Sequence, residues 1–431
     1  MNFAVVNLGC KVNRVESDAT AAVLLAQGAS PAREEDADLI VVNTCTVTGE
    51  AEKKTRKAVR RALRANPTAT VVVTGCAAAV DAAFYESLDE RVECVAKAAL
   101  SARVRKLAND MGARSPLVAS LPVGAGFRSR VGVKVQDGCD NACTYCIVHV
   151  ARGRATSRPA DEVTAECVAL AAAGVREIVL TGINLGSYCD GAKRDASAMR
   201  LAGLLRRLLG ETERLRAPGE LPCRFRISSV EPRDVDDALV DLLATADGRI
   251  CRHLHLPLQS GSSKVLREMA RPYDADQFRA LVERLHAAVP GLALSTDIIA
   301  GFPGETDVEF QETLDVARAC RFAKIHAFPY SRRDGTPAAE RTDQVPPEVK
   351  AARAAALRSL GDELRTAERI RRVGTVELAL VEEAGIAMTE SYFEVAAPTG
   401  IPVGALTKVT IDGASPPSEA MRVRCLPLSV Q

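Results

Sequence analysis

The chain has no tryptophan, and aromatic residues make up only 4% of its 431 positions. Aromatic side chains are the usual platforms on which proteins stack unpaired bases, so the composition offers no sign of RNA binding by stacking. An excess of charge of one sign is also missing, because 56 Lys and Arg face 55 Asp and Glu, for a net charge of +1. Any basic surface for nucleic acid must therefore be local.

The sequence also lacks an apolar run long enough to span a bilayer, and its first residues lack the basic flank of a signal peptide. We therefore expect a cytoplasmic protein with no membrane attachment. Cysteine, in contrast, is abundant, with 13 copies. In a long chain without an export signal, cysteines are more often ligands, nucleophiles or core residues than disulfide partners.

Short apolar runs alternate with helical stretches, which predicts an α/β fold built on parallel sheets. In the first part, strands are expected at 3–8, 39–43 and 69–74, and helices at 18–27 and 49–65. Six further strands predict a partial (β/α)6 barrel, at 132–136, 177–181, 224–229, 252–257, 293–298 and 323–328. After a long helix at 348–372, four short segments predict a small β-barrel, at 376–381, 392–395, 406–411 and 421–425.

These patterns divide the chain into four parts. We expect an N-terminal parallel α/β domain at 1–112 and a linker rich in Gly, Pro and Ser at 113–130. The barrel with its trailing helix then occupies 131–372, and the C-terminal β domain occupies 373–431.

Three cysteines follow the first predicted barrel strand with the spacing C-x3-C-x2-C, namely Cys139, Cys143 and Cys146. Barrels of this kind carry their chemistry at the C-terminal ends of the strands. Three thiolates can hold three corners of a 4Fe-4S cluster and leave one iron open to a substrate such as S-adenosylmethionine. Two alternatives stay open, which are a closed Cys3His zinc site completed by His149 and unrelated buried cysteines.

This loop, with Tyr145 just before the last cysteine, resembles the hallmark of the radical SAM superfamily. Four later segments at strand ends match the same superfamily, with the sequences TGIN (181–184), SSVEP (228–232), HLPLQSGS (255–262) and TDIIAGFPGET (296–306). The resemblance implies that S-adenosylmethionine is bound near these segments, with Tyr145, Gly182, Asn184, Glu231, Gln259, Ile299 and Gly301 as candidate contacts.

A second set of cysteines, Cys10, Cys45 and Cys76, ends three strands of the first unit. Strand C-termini share one edge of a parallel sheet, where open α/β sheets bind ligands. The three thiols can therefore converge, although three unrelated buried cysteines remain the alternative. Small neighbours such as Gly9 and Gly75 would let a bulky cluster approach the backbone.

The segments NLGCKVN, VNTCTVT and TGC around these cysteines resemble the N-terminal domain of the radical SAM methylthiotransferases. That resemblance covers nearly the whole chain and implies two 4Fe-4S clusters, one on each cysteine triplet, and a C-terminal TRAM domain, which segment 388–395 resembles. The GCKVN form is similar to the branch that acts on threonylcarbamoyladenosine in tRNA. Branches acting on isopentenyladenosine or on a ribosomal-protein aspartate stay open as alternatives. The chain departs from the family pattern at His149, where proline is common, and at Ala79, where glutamine is usual.

The resemblance implies that one S-adenosylmethionine supplies a methyl group to sulfur at the N-terminal cluster. A second is cleaved to a radical that removes hydrogen from C2 of the adenine at tRNA position 37. The implied partners are the tRNA anticodon loop, a reductant such as flavodoxin or ferredoxin, and an unidentified sulfur donor. The two cysteine-bearing faces should oppose one another across the adenine.

Two basic segments are candidates for phosphate contacts. The first is the helix after Cys45, with Lys53, Lys57, Arg60, Arg61 and Arg64 at helical spacing. The second comprises Arg365, Arg369, Arg371 and Arg372, just before the β domain. Either segment could instead be an ordinary solvated surface. A non-enzymatic iron–sulfur or zinc RNA-binding protein remains a further alternative.

Overall fold

The computed structural model describes residues 1–113, 129–193, 195, 197–216, 220–413 and 419–425. The chain forms an α/β sheet unit, a half-open barrel and an antiparallel β unit, as the alternation of its apolar segments predicts. The proposed linker falls almost entirely outside the described residues. Within these ranges, no helix combines the length and the apolar character that crossing a membrane requires.

The N-terminal unit is a five-stranded parallel sheet with the order β2-β1-β3-β4-β5. Its strands are β1 (Asn2–Asn7), β2 (Ser30–Pro31), β3 (Leu39–Thr44), β4 (Thr70–Gly75) and β5 (Val92–Cys94). Its helices are α1 (Lys11–Ala26), α2 (Gly49–Ala65), α3 (Cys76–Val80), α4 (Ala82–Glu86) and α5 (Lys97–Asp110). Strand β3 is buried along its whole length because helices cover both faces of the sheet. The short edge strands β2 and β5 were not predicted.

Next come six parallel strands in chain order. They are β6 (Arg130–Lys134), β9 (Glu177–Thr181), β12 (Arg224–Ile227), β13 (His253–His255), β14 (Ala293–Ala300) and β15 (Lys324–Pro329). Bridges between Phe225 and Ile250 and between Ser229 and His255 join the first three strands to the last three. This is the predicted partial barrel.

Helices on the outer surface of the barrel pack on its strands around a large apolar core. They are α7 (Ala160–Ala172), α8 (Leu201–Glu213), α9 (Asp237–Thr245), α10 (Ser263–Glu268), α11 (Ala275–Ala288), α12 (Asp307–Cys320) and α14 (Pro347–Arg371). Two short helices lie elsewhere, because α6 (Val148–Arg152) contacts α3 of the N-terminal unit and α13 (Pro337–Glu340) joins a smaller apolar cluster. Four two-residue strands complete two small ribbons, β7 (Gln136–Asp137) with β8 (Thr156–Ser157) and β10 (Cys189–Asp190) with β11 (Met199–Arg200).

The C-terminal unit is an antiparallel sheet with the order β18-β17-β16-β19-β20. Its strands are β16 (Val376–Glu383), β17 (Ile386–Thr389), β18 (Glu394–Ala396), β19 (Leu406–Gly413) and β20 (Arg422–Cys425). A bridge between Val395 and Met421 nearly closes it into a barrel. The prediction missed β17 and began the next strand at Tyr392. That residue instead occupies a turn with φ of +68°, a conformation that bulky side chains rarely adopt.

The three units meet around the open side and the lower end of the barrel. Helix α1 lies across β6, where Gly132 leaves room for Val15 that a Cβ atom would fill. Beneath the barrel, Glu177 is fully buried between Arg224 and Arg226. Both arginines also donate to backbone carbonyls of the C-terminal unit. Charges this deep are tolerated because every one is paired.

Candidate active site

The loop after β6 presents its thiols to backbone donors. The peptide N–H groups of Asn141 and Val148 point at the sulfur atoms of Cys139 and Cys146, each at 3.4 Å. The loop turns at Gly138, whose φ of +69° suits glycine. Hydrogen bonds to sulfur favour the thiolate, which is the form that binds iron.

A buried arginine reaches the middle thiol. Arg271, on the loop after α10, donates to Cys143 Sγ at 3.1 Å and also forms an ion pair with Glu231. Burial raises the pKa of Glu231, and the guanidinium only partly offsets this effect. The pair links a candidate cofactor contact directly to the three-cysteine loop.

In the metal-free chain, burial holds the protons on several of the thiols. It raises the pKa of Cys146 to about 12 and raises the pKa values of Cys139 and Cys45 as well. Iron binds the thiolate, so cluster assembly at these thiols releases protons, and the metal–sulfur bonds provide the free energy.

The predicted cofactor contacts gather at the same end of the barrel. Asn184 donates its N–H to Gln136 Oε1 at 2.8 Å, and Gly182 packs tightly on the same glutamine. Tyr145 and Ile299 share a small apolar cluster.

The remaining two contacts are placed by their backbones. Gln259 has a φ of +66° and donates its N–H to Asp297. Gly301, with φ of +74°, donates to Glu305 and packs so closely on Lys350 that a Cβ atom would not fit.

Three buried polar atoms at this end have no hydrogen-bond partner among the described residues, namely Asn184 Oδ1, Ser228 Oγ and Asp234 Oδ2. Leaving such atoms unpaired costs about 1–3 kcal/mol each. A polar ligand lying across the ends of β9 and β12 would satisfy them. These oxygen atoms therefore fit a small cofactor that carries hydrogen-bond donors, such as S-adenosylmethionine.

The second triplet converges at the C-terminal edge of the N-terminal sheet. Cys10 precedes α1, Cys45 follows β3 and Cys76 begins α3, and the three thiols lie close enough to raise the pKa of Cys45, after the larger effect of burial. Gly9, with φ of +98°, lies so close that a Cβ atom there would be 2.7 Å from Cys45 Sγ. Glycine at this position is therefore a condition for the approach of the thiols.

Arg152, at the end of α6, joins the two sites. Its Nε donates to Cys76 Sγ at 3.2 Å, while its Nη1 pairs with Glu16 at 3.0 Å and with Asp137 at 2.8 Å. The side chain is only 1% exposed. A single arginine that follows the three-cysteine loop thus contacts Cys76 of the N-terminal triplet, so the two cysteine-bearing segments lie next to one another.

A second contact between the units frames a cavity. Ser331, after β15, accepts from the N–H of Gly49 at 2.9 Å, and Arg333 pairs with Glu52 on α2. Beside these contacts lies a cavity of about 610 Å³, lined by Cys45 and by Phe328, which is 40% exposed. The cavity therefore has an exposed aromatic ring, although aromatic residues are scarce in the chain.

The zinc alternative is not supported by this geometry. In a tetrahedral zinc site the ligand atoms lie within about 4 Å of one another. Among the described residues, the one group of His, Cys, Asp and Glu ligand atoms that all lie within 4.8 Å is His255, Asp297 and His326. It contains no cysteine, and His149 is exposed on α6.

The two predicted basic segments differ in the structure. The five residues predicted on α2 are all exposed, and of these five only Arg61 has an ion-pair partner among the described residues, namely Glu34. The prediction of a basic surface at the second segment is wrong for Arg369 and Arg372. Both are buried, and Arg372 pairs with Glu368 and Glu377. Those two arginines hold the C-terminal unit in place and do not form an RNA-binding patch.

Sequence reasoning missed Arg152, Arg271 and Phe328. Arg152 lies six residues after Cys146, so proximity to the loop was an available signal. Arg271 lies at least 125 residues after the three cysteines of the loop, so no local sequence pattern connects it with them.

Comparison with known proteins assigns two parts of the chain to protein families. Residues 133–317 match the Radical SAM superfamily, and residues 2–97 match a family described as "Uncharacterized protein family UPF0004". The fold resembles the radical S-adenosylmethionine methyltransferase TsrM from Kitasatospora setae, with a TM-score of 0.54, 15% identity and coverage of 78% of this chain and 77% of the other. Fold and site together define a radical SAM enzyme.

Two relatives identify the family to which the chain belongs within the radical SAM enzymes. The chain is 37% identical to the threonylcarbamoyladenosine tRNA methylthiotransferase MtaB of Chlamydia pneumoniae, over 88% of this chain and 87% of the relative. It is 34% identical to the tRNA-2-methylthio-N(6)-dimethylallyladenosine synthase of Anoxybacillus flavithermus, over 88% and 73%. The chain belongs to the radical SAM tRNA methylthiotransferase family. Membership implies an iron–sulfur cluster, S-adenosylmethionine and a tRNA substrate, and it excludes the non-enzymatic alternative.

Proposed function

We propose that this enzyme converts N6-threonylcarbamoyladenosine at tRNA position 37 to its 2-methylthio derivative. The observation that supports the proposal is the contact of Arg152, six residues after Cys146, with Cys76 Sγ, which brings the segments that carry the two cysteine triplets together. A reaction that both generates a radical and delivers sulfur needs two such sites facing one substrate. Identity to relatives named for this nucleoside supports the choice of substrate.

Cys139, Cys143 and Cys146 would hold one 4Fe-4S cluster, and Cys10, Cys45 and Cys76 would hold a second. Gly182, Asn184, Glu231, Gln259, Ile299 and Gly301, with Tyr145, would bind S-adenosylmethionine. When bound, these groups supply the one-electron chemistry that an unactivated aromatic C–H bond requires and that side chains cannot provide.

The chain's own residues would position the cofactor and the adenine and shield them from water. Arg271 brings a fixed positive charge to the Cys143 thiol, and the buried polar atoms beyond β9 and β12 would orient the cofactor. Phe328 offers a ring on which the adenine can stack beside Cys45. Helix α2 begins four residues after Cys45, and its exposed basic face begins at Lys53, a suitable place for the phosphates of an anticodon loop. A flavodoxin or ferredoxin would supply electrons.

Nucleoside mass spectrometry of tRNA from strains with and without the gene tests the proposal. We expect the 2-methylthio derivative of threonylcarbamoyladenosine to disappear while its unmethylthiolated precursor accumulates. Loss of a methylthiolated isopentenyladenosine instead would redirect the proposal to that branch. Unchanged tRNA with an altered ribosomal-protein aspartate would refute it.

Cysteine variants test the two-cluster arrangement. Cys139→Ala should abolish formation of 5′-deoxyadenosine, whereas Cys45→Ala should retain it and lose methylthiolation. Reconstituted chain should carry about eight irons for two 4Fe-4S clusters, and each variant about four. Cys94→Ala is the matched control, because Cys94 lies on β5 of the same sheet but outside the triplet. Methylthiolation by Cys45→Ala would contradict the arrangement.

A further inference from the structure

One face of the last barrel strand leads from the cavity into the barrel. Alternate residues of a strand share a face, so Lys324, His326 and Phe328 of β15 form one row. Phe328 lines the cavity beside Cys45. His326 pairs in register with Asp297 on β14, and their polar atoms lie within 4.8 Å of each other and of His255. A ligand stacked on Phe328 would therefore direct a substituent towards His326 and Lys324.

Lys11 approaches the same row from the N-terminal unit. It directly follows Cys10, and its Nζ lies 5.3 Å from the ring centroid of Tyr392. Its side chain is exposed, as is that of Lys324, and the charges of both lysines act on His326. Lys11 and Lys324 thus face the same water-accessible side of the row.

Neither lysine has an ion-pair partner within the ranges that the structure describes, whereas their charged neighbours do. Arg130 pairs with Glu382, and Arg226 pairs with Glu177. The acid beside the row, Asp297, contacts His255 Nε2 at 3.2 Å. Two lysines and one carboxylate give the space a net positive charge, which favours an anion.

The trio of His255, Asp297 and His326 also has the spacing of a metal site. One feature argues against a cation there, because both lysines bring positive charge close to His326. Burial, with smaller effects of the neighbouring charges, lowers the pKa of His326 to about 4, so the ring is neutral at pH 7 and can share a hydrogen bond.

Resting on the function proposed above, we propose that Lys11 and Lys324 bind the carboxylate of the threonylcarbamoyl group and thereby select this nucleoside. That group carries one carboxylate, ureido N–H groups and a hydroxyl, for which Asp297 and His326 offer an acceptor and a hydrogen-bond partner. An isopentenyl group offers only hydrocarbon, which would displace water from two ammonium groups without replacing its hydrogen bonds.

The test uses the reconstituted full-length enzyme and anticodon stem-loop RNAs that differ at position 37. One carries threonylcarbamoyladenosine, one carries its carboxamide analogue and one carries isopentenyladenosine. Methylthiolation is followed by mass spectrometry, and affinity by fluorescence anisotropy. For Lys11→Gln with Lys324→Gln, we expect kcat/KM and affinity for the carboxylate RNA to fall roughly 10- to 100-fold per lysine, as for other charge-assisted hydrogen bonds. The carboxamide RNA should lose less than threefold.

Lys106→Gln, an equal charge change on the exposed face of α5, should leave every RNA unaffected. Lys324 is exposed, so Lys324→Gln alone keeps the test valid if the double variant folds poorly. Equal losses on carboxylate and carboxamide RNAs, or a wild-type preference for the isopentenyl RNA, would overturn the assignment of the lysines. An enzyme that methylthiolates no RNA at all would instead overturn the proposed function itself.

Discussion

Replacing Arg152 by methionine tests the link between the two cysteine sites. Methionine keeps much of the side-chain volume but removes one of the two cations that Glu16 and Asp137 share, so only Lys134 still bridges them. It also removes the Nε donor to Cys76 Sγ. Because Arg152 is almost completely buried, water cannot take its place. We therefore expect a loss of stability much larger than that for a surface arginine.

The magnitude follows from the acids that Arg152 contacts. Burial opposes ionisation of Asp137, yet Arg152 and then Lys134 lower its pKa from 3.8 to about 2. That difference corresponds to about 2 kcal/mol of stabilisation. Glu16 also has a lowered pKa, and it keeps Lys97 and Lys134 in the variant. We expect a total loss of about 2–4 kcal/mol.

The assay compares urea midpoints and melting temperatures of the metal-free, full-length chain. A loss of this size should lower the melting temperature of the affected unit by roughly 5–10 °C. Arg154→Met is the matched control. Arg154 lies two residues away and 92% exposed beside Asp140, so its replacement should cost less than about 1 kcal/mol.

The pH dependence has a definite sign. The folded-state pKa of Asp137 is lower than its unfolded value, so its contribution is complete well above pH 3.8 and fades as the pH falls towards about 2. The difference between wild type and Arg152→Met should therefore be steady from about pH 6 to pH 8 and smaller at about pH 3. Equal destabilisation by Arg154→Met, or a difference that grows on acidification, would refute the reasoning.

Three further outcomes follow. Glu177→Gln should destabilise the chain by about 3–5 kcal/mol in thermal melts because two buried arginines lose their partner, whereas Glu220→Gln at an exposed pair should have little effect. Gly9→Ala should reduce the amount of bound iron, because the added methyl group clashes with Cys45. Gly112→Ala is the control, since Gly112 has a similar positive φ but open space around it. Full iron occupancy in Gly9→Ala would count against the convergence of the three N-terminal thiols. Phe328→Ala should weaken stem-loop binding by about 1–3 kcal/mol in anisotropy titrations, and unchanged affinity would exclude stacking there.

The sequence predicted the features that depend on local order. Parallel strands share an orientation, so their C-terminal ends lie at one edge of the sheet. Cysteines that directly follow such strands, as Cys45 follows β3, can therefore be predicted to lie at that edge. The strand and helix types were correct for the same reason, since apolar runs and helical periodicity are local. Bounds of short elements failed, as at Tyr392, where a turn with positive φ interrupts a run that resembles one strand.

Contacts between distant segments could not be predicted in this way. Arg271 and Cys143 meet only because α10 ends beside the loop after β6. Charge also misled where burial decided the outcome. The segment 365–372 looks like a basic patch in sequence, yet Arg372 lies inside a network with Glu368 and Glu377. Sequence gives the number of charges, but only the fold determines which of them face water.

The buried ion pairs of Glu177 with Arg224 and Arg226 limit how far the chain can be shortened from its C-terminal side. A fragment that ended before β16 would retain all six cysteines of the two triplets, and every candidate contact for the cofactor. It would nevertheless open Glu177, Arg224 and Arg226 to water and remove the four carbonyl groups that receive the arginine donors. The C-terminal β unit thus seals the lower end of the barrel, and truncations that remove it should expose these buried charges and destabilise the barrel.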